Sequence, residues 1–161
     1  MERLWTPWRM EYIQRAHDEG EGCLFCDLAG RGDDQEAMIL AREGLAFALM
    51  NAFPYNPGHL MVAPFRHVGE LNQLEPDELG DADRLLQRAV TALREEMSPD
   101  GFNIGMNLGR VAGAGVPGHL HWHVVPRWNG DTNFMPVIGE TRVLPESLED
   151  TYQKLGPRFG A

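Results

Sequence analysis

Near the centre of its C-terminal half the chain reads His119-Leu120-His121-Trp122-His123-Val124-Val125, three imidazoles at alternate positions of a short apolar run. A period of two suits an extended strand, whose successive side chains point to opposite faces. Leu120, Trp122 and Val124 are then expected in a core, with the three histidines lining the other side as one wall. At a rise of roughly 3.3 Å per residue, neighbouring imidazoles would stand about 6 to 7 Å apart, a spacing that suits successive groups of an extended polyanion. Histidine titrates nearest neutrality, so each ring can act as nucleophile, base, acid or metal ligand. A His-rich polar strand face is the plain alternative.

The flanking sequence places this run in a sheet. Ala37 to Arg42 and Leu45 to Asn51 are apolar segments around Glu43-Gly44 and read as a hairpin; His59 to Ala63 follows the turn-forming Asn56-Pro57-Gly58 and reads as a third strand. From Pro76, Leu79, Ala82, Leu86, Ala89, Val90, Leu93 and Met97 recur at helical spacing until Ser98-Pro99. Phe102 to Asn107 and Leu120 to Val125 supply two more strands. A short helix is expected from Pro145 to Leu155, stopped by Gly156-Pro157. The expected fold is α+β: a five-stranded antiparallel sheet carrying its helices on one face, with one long helix and a short C-terminal one.

A chain of 161 residues, 43% hydrophobic, fits one domain over 1–161, with 1–32 as an irregular N-terminal segment and 135–161 as a C-terminal extension. Trp5, Pro7 and Trp8 are expected to pack on that domain. There is no signal-peptide run and no membrane span, so the cytoplasm is the expected compartment and no membrane partner is expected. A net charge of −10 with 14 scattered Lys and Arg argues against a nucleic-acid surface. Attraction for an anionic ligand must then be local. The loop Gly109 to Gly118, rich in glycine, leads into the histidine run, and its amides are candidates for an anion-binding nest, with Gly113 and Gly115 as substrate-binding positions. It lacks the Gly-Lys-Ser or Gly-Lys-Thr of a P-loop.

Cys23-x-x-Cys26 has three readings: a redox pair, half of a zinc site, or two small buried residues. No βαβ pattern surrounds it to favour the redox reading. Mixed Cys and His zinc ligation needs two more donors, for which His67 and His119 are the candidates.

The run HLHWHVV resembles the histidine triad of the histidine triad nucleotide hydrolases and transferases. NAFPYNPGHLMVAP, from Asn51 to Pro64, is similar to a second signature of that family. PRWNGDTNF at Pro126 to Phe134, the opening LWTPWRMEYI and the stretch after Asn133 resemble the branch containing diadenosine tetraphosphate phosphorylases. The resemblance implies a HIT-like fold and an adenine nucleotide substrate. It implies a covalent nucleotidyl-imidazole at His121, resolved by phosphate or by water. It further implies that His123 contacts phosphate or leaving-group oxygen and that His59 reinforces His123. His59 taken alone is as readily structural as catalytic. Asn51 matches a ribose-binding position and Asn107 one near the transferred phosphate. Zinc-bearing relatives, including galactose-1-phosphate uridylyltransferases, use a Cys pair, a His after the third strand and the first triad His. Carried over, these are Cys23, Cys26, His67 and His119 around a structural Zn(2+). A rival arrangement puts all three triad histidines on a catalytic zinc, which strands the cysteines and removes the nucleophile.

In many relatives a polar Gln, Ser or Thr precedes the triad, whereas Gly115-Val116-Pro117-Gly118 offers backbone groups only. Phosphorolysis, hydrolysis of phosphoramidates or dinucleotides, and nucleotide binding with little catalysis all remain readings of the same pocket. A DNA deadenylase of the superfamily is disfavoured by the acidic chain. Relatives commonly pair as homodimers that continue the sheet, which would cover an edge strand.

Overall fold

The computed structural model describes residues 22–131 and 145–160. The expectations for Trp5, Pro7 and Trp8 lie outside the described residues, as do LWTPWRMEYI and the segment 132–144. The elements are α1 (Leu24–Gly30), β1 (Ile39–Glu43), β2 (Ala46–Met50), β3 (Leu60–Pro64), α2 (Pro76–Met97), β4 (Gly101–Met106), β5 (Trp122–Arg127) and α3 (Leu148–Phe159). Single 3-10 turns occupy Leu71–Gln73 and Arg110–Ala112.

All pairings are antiparallel, and the five strands lie in the order β1-β2-β3-β5-β4. The β1–β2 hairpin turns at Gly44, whose φ of +52° is costly for other residues. The next residue, Leu45, donates its N–H to Asp81 on α2 at 2.7 Å, which ties the turn to the helix. The chain then crosses over through α2, lays down β4 at the edge and returns as β5 between β3 and β4. The triad strand is thus flanked on both sides.

The period-two pattern sorts the sheet into two faces. Ala46, Ala48, Met50, Leu60, Val62 and Val124 pack against Ala82, Leu85, Ala89 and Leu93 of α2 and Leu155 and Phe159 of α3. Each buried leucine there contributes about 1.5 to 3 kcal/mol. Phe47, Leu49, Met61 and Ala63 face the other way and pack with Phe25 of α1. Helix α2 begins as the sequence indicates: Pro76 lies in its first turn, Glu75 and Glu78 form a reciprocal capping box, and Ser98 closes it in the left-handed region at φ 46°. Among the described residues no helix is long and apolar enough to cross a membrane.

Several expectations are corrected. The segment up to residue 32 is not wholly irregular, because Leu24–Gly30 is helical and buries Phe25. Helices therefore cover both faces of the sheet, not one. The C-terminal helix does not stop at Gly156-Pro157; it runs on to Phe159. Proline removes one N–H from the last turn, but burying Leu155 and Phe159 in the main core outweighs that loss. Strands β3 and β5 start one and two residues later than expected, so His59, His119 and His121 precede the regular strands.

Candidate active site and metal centre

The pairing of β3 with β5 generates the site. Met61 pairs with His123 and Val62 with Trp122, while further upstream Leu120 donates its N–H to Val68 at 2.6 Å. Residues 63–67 thus lie opposite the single residue 121, while Ala63 and Pro64 keep their pairing with β2, and the Pro64 carbonyl is left to meet His119.

His119 is fully buried. Its Nε2–H donates to the Pro64 carbonyl at 2.8 Å, which leaves Nδ1 as the lone-pair nitrogen. That Nδ1 lies 3.2 Å from Cys23 Sγ and 3.5 Å from Cys26 Sγ, and Cys26 Sγ is 3.5 Å from His67 Nδ1. The ligand atoms of Cys23, Cys26, His67 and His119 all lie within 4.8 Å of one another. A tetrahedral ion with ordinary Zn–S and Zn–N bonds sets its sulfur and nitrogen donors about 3.5 Å apart, so the four residues can hold a metal with little movement. The Pro64 carbonyl supplies the outer hydrogen bond that a metal-ligating imidazole usually makes.

The next triad residue faces a different task. The Nδ1–H of His121 donates to the His119 carbonyl at 2.9 Å, so its lone pair is on Nε2. Burial pushes both His119 and His121 below the ordinary histidine range, against the upward pull of their carbonyl partners. His121 is thereby kept neutral near pH 7. Phe25 packs on both rings, with centroids 5.1 Å from His119 and 4.7 Å from His121.

His123 stands edge-on to His121, with centroids 4.9 Å apart. His59 Nε2 lies 3.0 Å from His123 Nδ1, and the backbone N–H of Tyr55 donates to His59 Nδ1 at 3.0 Å. The Tyr55 ring stacks on His59. Asn51 lies beside this pair: its Nδ2 is 3.4 Å from His59 Nε2, and its Oδ1 accepts the Phe53 N–H at 2.8 Å. On the glycine loop, the Asn107 side chain donates to the Gly113 carbonyl at 3.4 Å. Gly113 has a φ of +93°, but its N–H donates to the Arg110 carbonyl at 3.0 Å and the Ala114 N–H to the Gly109 carbonyl at 3.2 Å, so these two amides close the loop on itself, which corrects the expected nest at Gly113; Gly115 lies two residues further on.

The single wall of equivalent imidazoles expected from the alternation is therefore corrected. His119 turns into the cysteines, while His121 and His123 stand closer than a straight strand would hold them. Regular β3–β5 pairing ends at Val62–Trp122, and beyond it the rings of His119 and His121 are held by the carbonyls of Pro64 and His119. Phe25, Tyr55 and the carbonyls of Pro64 and His119 were not foreseen as parts of the site. Phe25 is signalled only by its place between the two cysteines and Tyr55 by its closeness to His59; the carbonyls carry no sequence signal.

A sheet-borne cluster of four imidazoles, with a neutral one presenting a lone pair beside a glycine-rich loop, defines the fold and site of a histidine-triad domain. Residues 33–130 match the HIT domain model, and the chain belongs to the HIT domain family. It is 41% identical over 166 residues to an AP-4-A phosphorylase of Mycobacterium tuberculosis, covering 99% of this chain and 85% of that one. An uncharacterised HIT-like protein of Methanocaldococcus jannaschii is 32% identical over 68% of this chain and 81% of its own length. Among solved structures, a Zn-bound histidine triad family protein from Mycobacterium smegmatis superposes with a TM-score of 0.68 at 28% identity, covering 86% of this chain and 93% of that one.

Proposed function

We propose that the protein is a nucleotidyltransferase that cleaves diadenosine tetraphosphate by phosphorolysis through an adenylylated His121. The observation that carries this reading is the bond from His121 Nδ1–H to the His119 carbonyl, which leaves a neutral Nε2 lone pair for attack. The near full-length similarity to an AP-4-A phosphorylase supports the substrate class.

In this reading His121 Nε2 attacks an α-phosphorus and the bond to the bridging oxygen breaks, releasing ATP. The imidazolium so formed keeps its Nδ1–H on the His119 carbonyl, which stabilises the positive charge. Inorganic phosphate then attacks the same phosphorus, the P–N bond breaks, and ADP leaves with neutral His121 restored. His123, backed by His59, donates a hydrogen bond to the phosphate or the departing oxygen. The glycine loop lines the phosphate with its Gly115 amide, since the Gly113 N–H is taken by the Arg110 carbonyl at 3.0 Å; Asn107 holds the loop through the Gly113 carbonyl, and Asn51 holds the ribose. Cys23, Cys26, His67 and His119 hold a structural zinc, which supplies a rigid tie between α1 and the strand carrying His121. A homodimer that continues the sheet across an edge strand completes the assembly.

The test is to incubate the protein with diadenosine tetraphosphate with and without inorganic phosphate and to identify the products. Equal ADP and ATP, formed only with phosphate, is the expected result. AMP and ATP formed without phosphate would assign hydrolysis instead. No turnover of any dinucleotide or of an adenosine phosphoramidate would remove the enzymatic reading and leave a nucleotide-binding protein.

A further inference from the structure

The segment beginning at Pro126 resembles a branch of the family, yet none of its described residues was placed in the site above. Within it Asp131 is a hub. Its Oδ2 accepts Arg127 Nε–H at 2.6 Å, Asn56 Nδ2–H at 2.8 Å and the Trp128 N–H at 3.2 Å, while Oδ1 accepts a second Arg127 N–H at 2.9 Å. Arg127 also donates to Asn103 Oδ1 on β4 at 2.7 Å. The Arg127 guanidinium and the other donors hold the Asp131 carboxyl far below the usual carboxylate range, so it is charged throughout the working pH range.

Asn56 is gripped from two sides, since its amide also donates to the Pro126 carbonyl at 2.9 Å. Its own backbone carbonyl accepts the His59 N–H at 3.1 Å, closing the turn that ends at the catalytic imidazole pair. The residue just before Asn56 is Tyr55, whose backbone N–H points at His59 Nδ1. A backbone amide can only donate, so His59 must carry its proton on Nε2 and give it to His123 Nδ1. His123 in its neutral form then holds its own proton on Nε2. The Tyr55 amide thus sets the direction of both hydrogen bonds, because Asn51 Nδ2, the other donor near the ring, lies at 3.5 and 3.4 Å from Nδ1 and Nε2 and favours neither.

We propose that Asn56 and Asp131 are positioning residues: their bond anchors the turn that aims the Tyr55 amide at His59, so that His123 presents Nε2–H to the transferred phosphate. The last step rests on the nucleotidyl-transfer reading; the tautomer assignment does not. Asp131 acts some distance from the reacting atoms and touches them only through this chain of bonds.

The experiment measures the ring-nitrogen shifts of His59 and His123 in the full-length, 15N-labelled protein near neutral pH, for wild type, Asn56→Asp and Asp131→Ala. Asn56→Asp keeps the turn-forming character of the site but replaces the donated amide by a carboxylate facing Asp131. Wild type should show His59 Nδ1 unprotonated and Nε2 protonated. Both variants should move His59 towards a mixture of tautomers and lower kcat for diadenosine tetraphosphate about tenfold, with KM within about twofold. A purely structural role would lower the melting temperature without moving the nitrogens. Asp131→Ala carries the test alone if Asn56→Asp does not fold. Unmoved His59 nitrogens in the folded variants overturn the proposal, as do moved nitrogens with unchanged kcat. Wild-type protein that turns over no dinucleotide sinks the nucleotidyl-transfer reading instead, and the nitrogen shifts still decide the positioning of His59.

Discussion

His119 and His121 are joined by a single hydrogen bond, from the Nδ1–H of His121 to the His119 carbonyl at 2.9 Å, and His119 places its own Nδ1 3.2 Å from Cys23 Sγ. One residue thus joins the cysteine and histidine cluster through its ring and His121, the proposed nucleophile, through its backbone. Whatever fixes the ring of His119 also fixes the carbonyl that selects the reactive nitrogen of His121.

Replacing the nucleophile should separate chemistry from folding. His121→Ala is expected to lose on the order of a thousandfold or more in kcat. Far-UV circular dichroism should remain that of the wild type. Acid quench of the wild type with labelled diadenosine tetraphosphate should trap label on protein, and the variant should trap none. Turnover by the variant within about tenfold of wild type would contradict the assignment.

Removing a metal donor should reach the active site indirectly. Cys26→Ser is expected to lower bound zinc, measured by mass spectrometry of the native protein, and to lower the melting temperature. A strong chelator should do the same to wild type and have little effect on the variant. Partial loss of activity should accompany both, since the His119 carbonyl loses its anchor. Zinc content equal to wild type in Cys26→Ser would exclude this ligand set.

Buried Glu78 accepts Arg66 at 2.6 and 2.9 Å and the Glu75 N–H at 2.8 Å. The Arg66 bond is the largest cause holding its carboxyl below the ordinary glutamate range. A lowered folded value stabilises the protein above the unfolded pKa, and this contribution is lost as pH falls through the folded value. Melting temperature should therefore decline through and below the ordinary carboxylate range. In Arg66→Ala the largest lowering cause is gone and burial, which raises Glu78, is opposed only by the Glu75 N–H, so this part of the acid dependence should weaken. An unchanged pH profile in the variant would count against the pair as a source of acid sensitivity.

Leu155 on α3 is fully buried against the main core. Leu155→Ala should cost about 2 to 5 kcal/mol in chemical denaturation. Turnover per folded molecule should be unchanged, because α3 lies on the sheet face away from Phe25 and His121. A cost below about 0.5 kcal/mol would mean that α3 is not part of the cooperative core.

The sequence is most legible where the determinants are local. Pro76 and Ser98 bracket α2 because the first proline suits a helix start and the left-handed closing residue ends the repeat. Glu43-Gly44 marks the hairpin because the turn needs a positive φ. The four metal-cluster residues were recognisable from a family pattern, and the structure brings them together. Helix α1 escaped notice because seven residues anchored by Phe25 carry little periodic signal. The passage of α3 through Pro157 depends on a buried Phe159 and on Arg88 bonding its carbonyl, neither of which is local. The family pattern already separates His119 from the rest of the triad, but the bonds that fix which ring nitrogen each histidine leaves open run to the carbonyls of Pro64 and His119, which no list of side chains encodes.

Cys23 and His119 are 96 residues apart in the chain. A cation held by both would act as a cross-link across most of the described chain, and in a disulfide such a closure restricts the unfolded ensemble by about 4 to 5 kcal/mol. The hairpin and α2 draw on near neighbours and α1 docks on the hairpin through Phe25, so these are able to form early, whereas the two cysteines must wait for His119 to arrive. A chain without the cation would keep its sheet but hold the His119 carbonyl less firmly, so metal uptake would complete the site without being what switches it on.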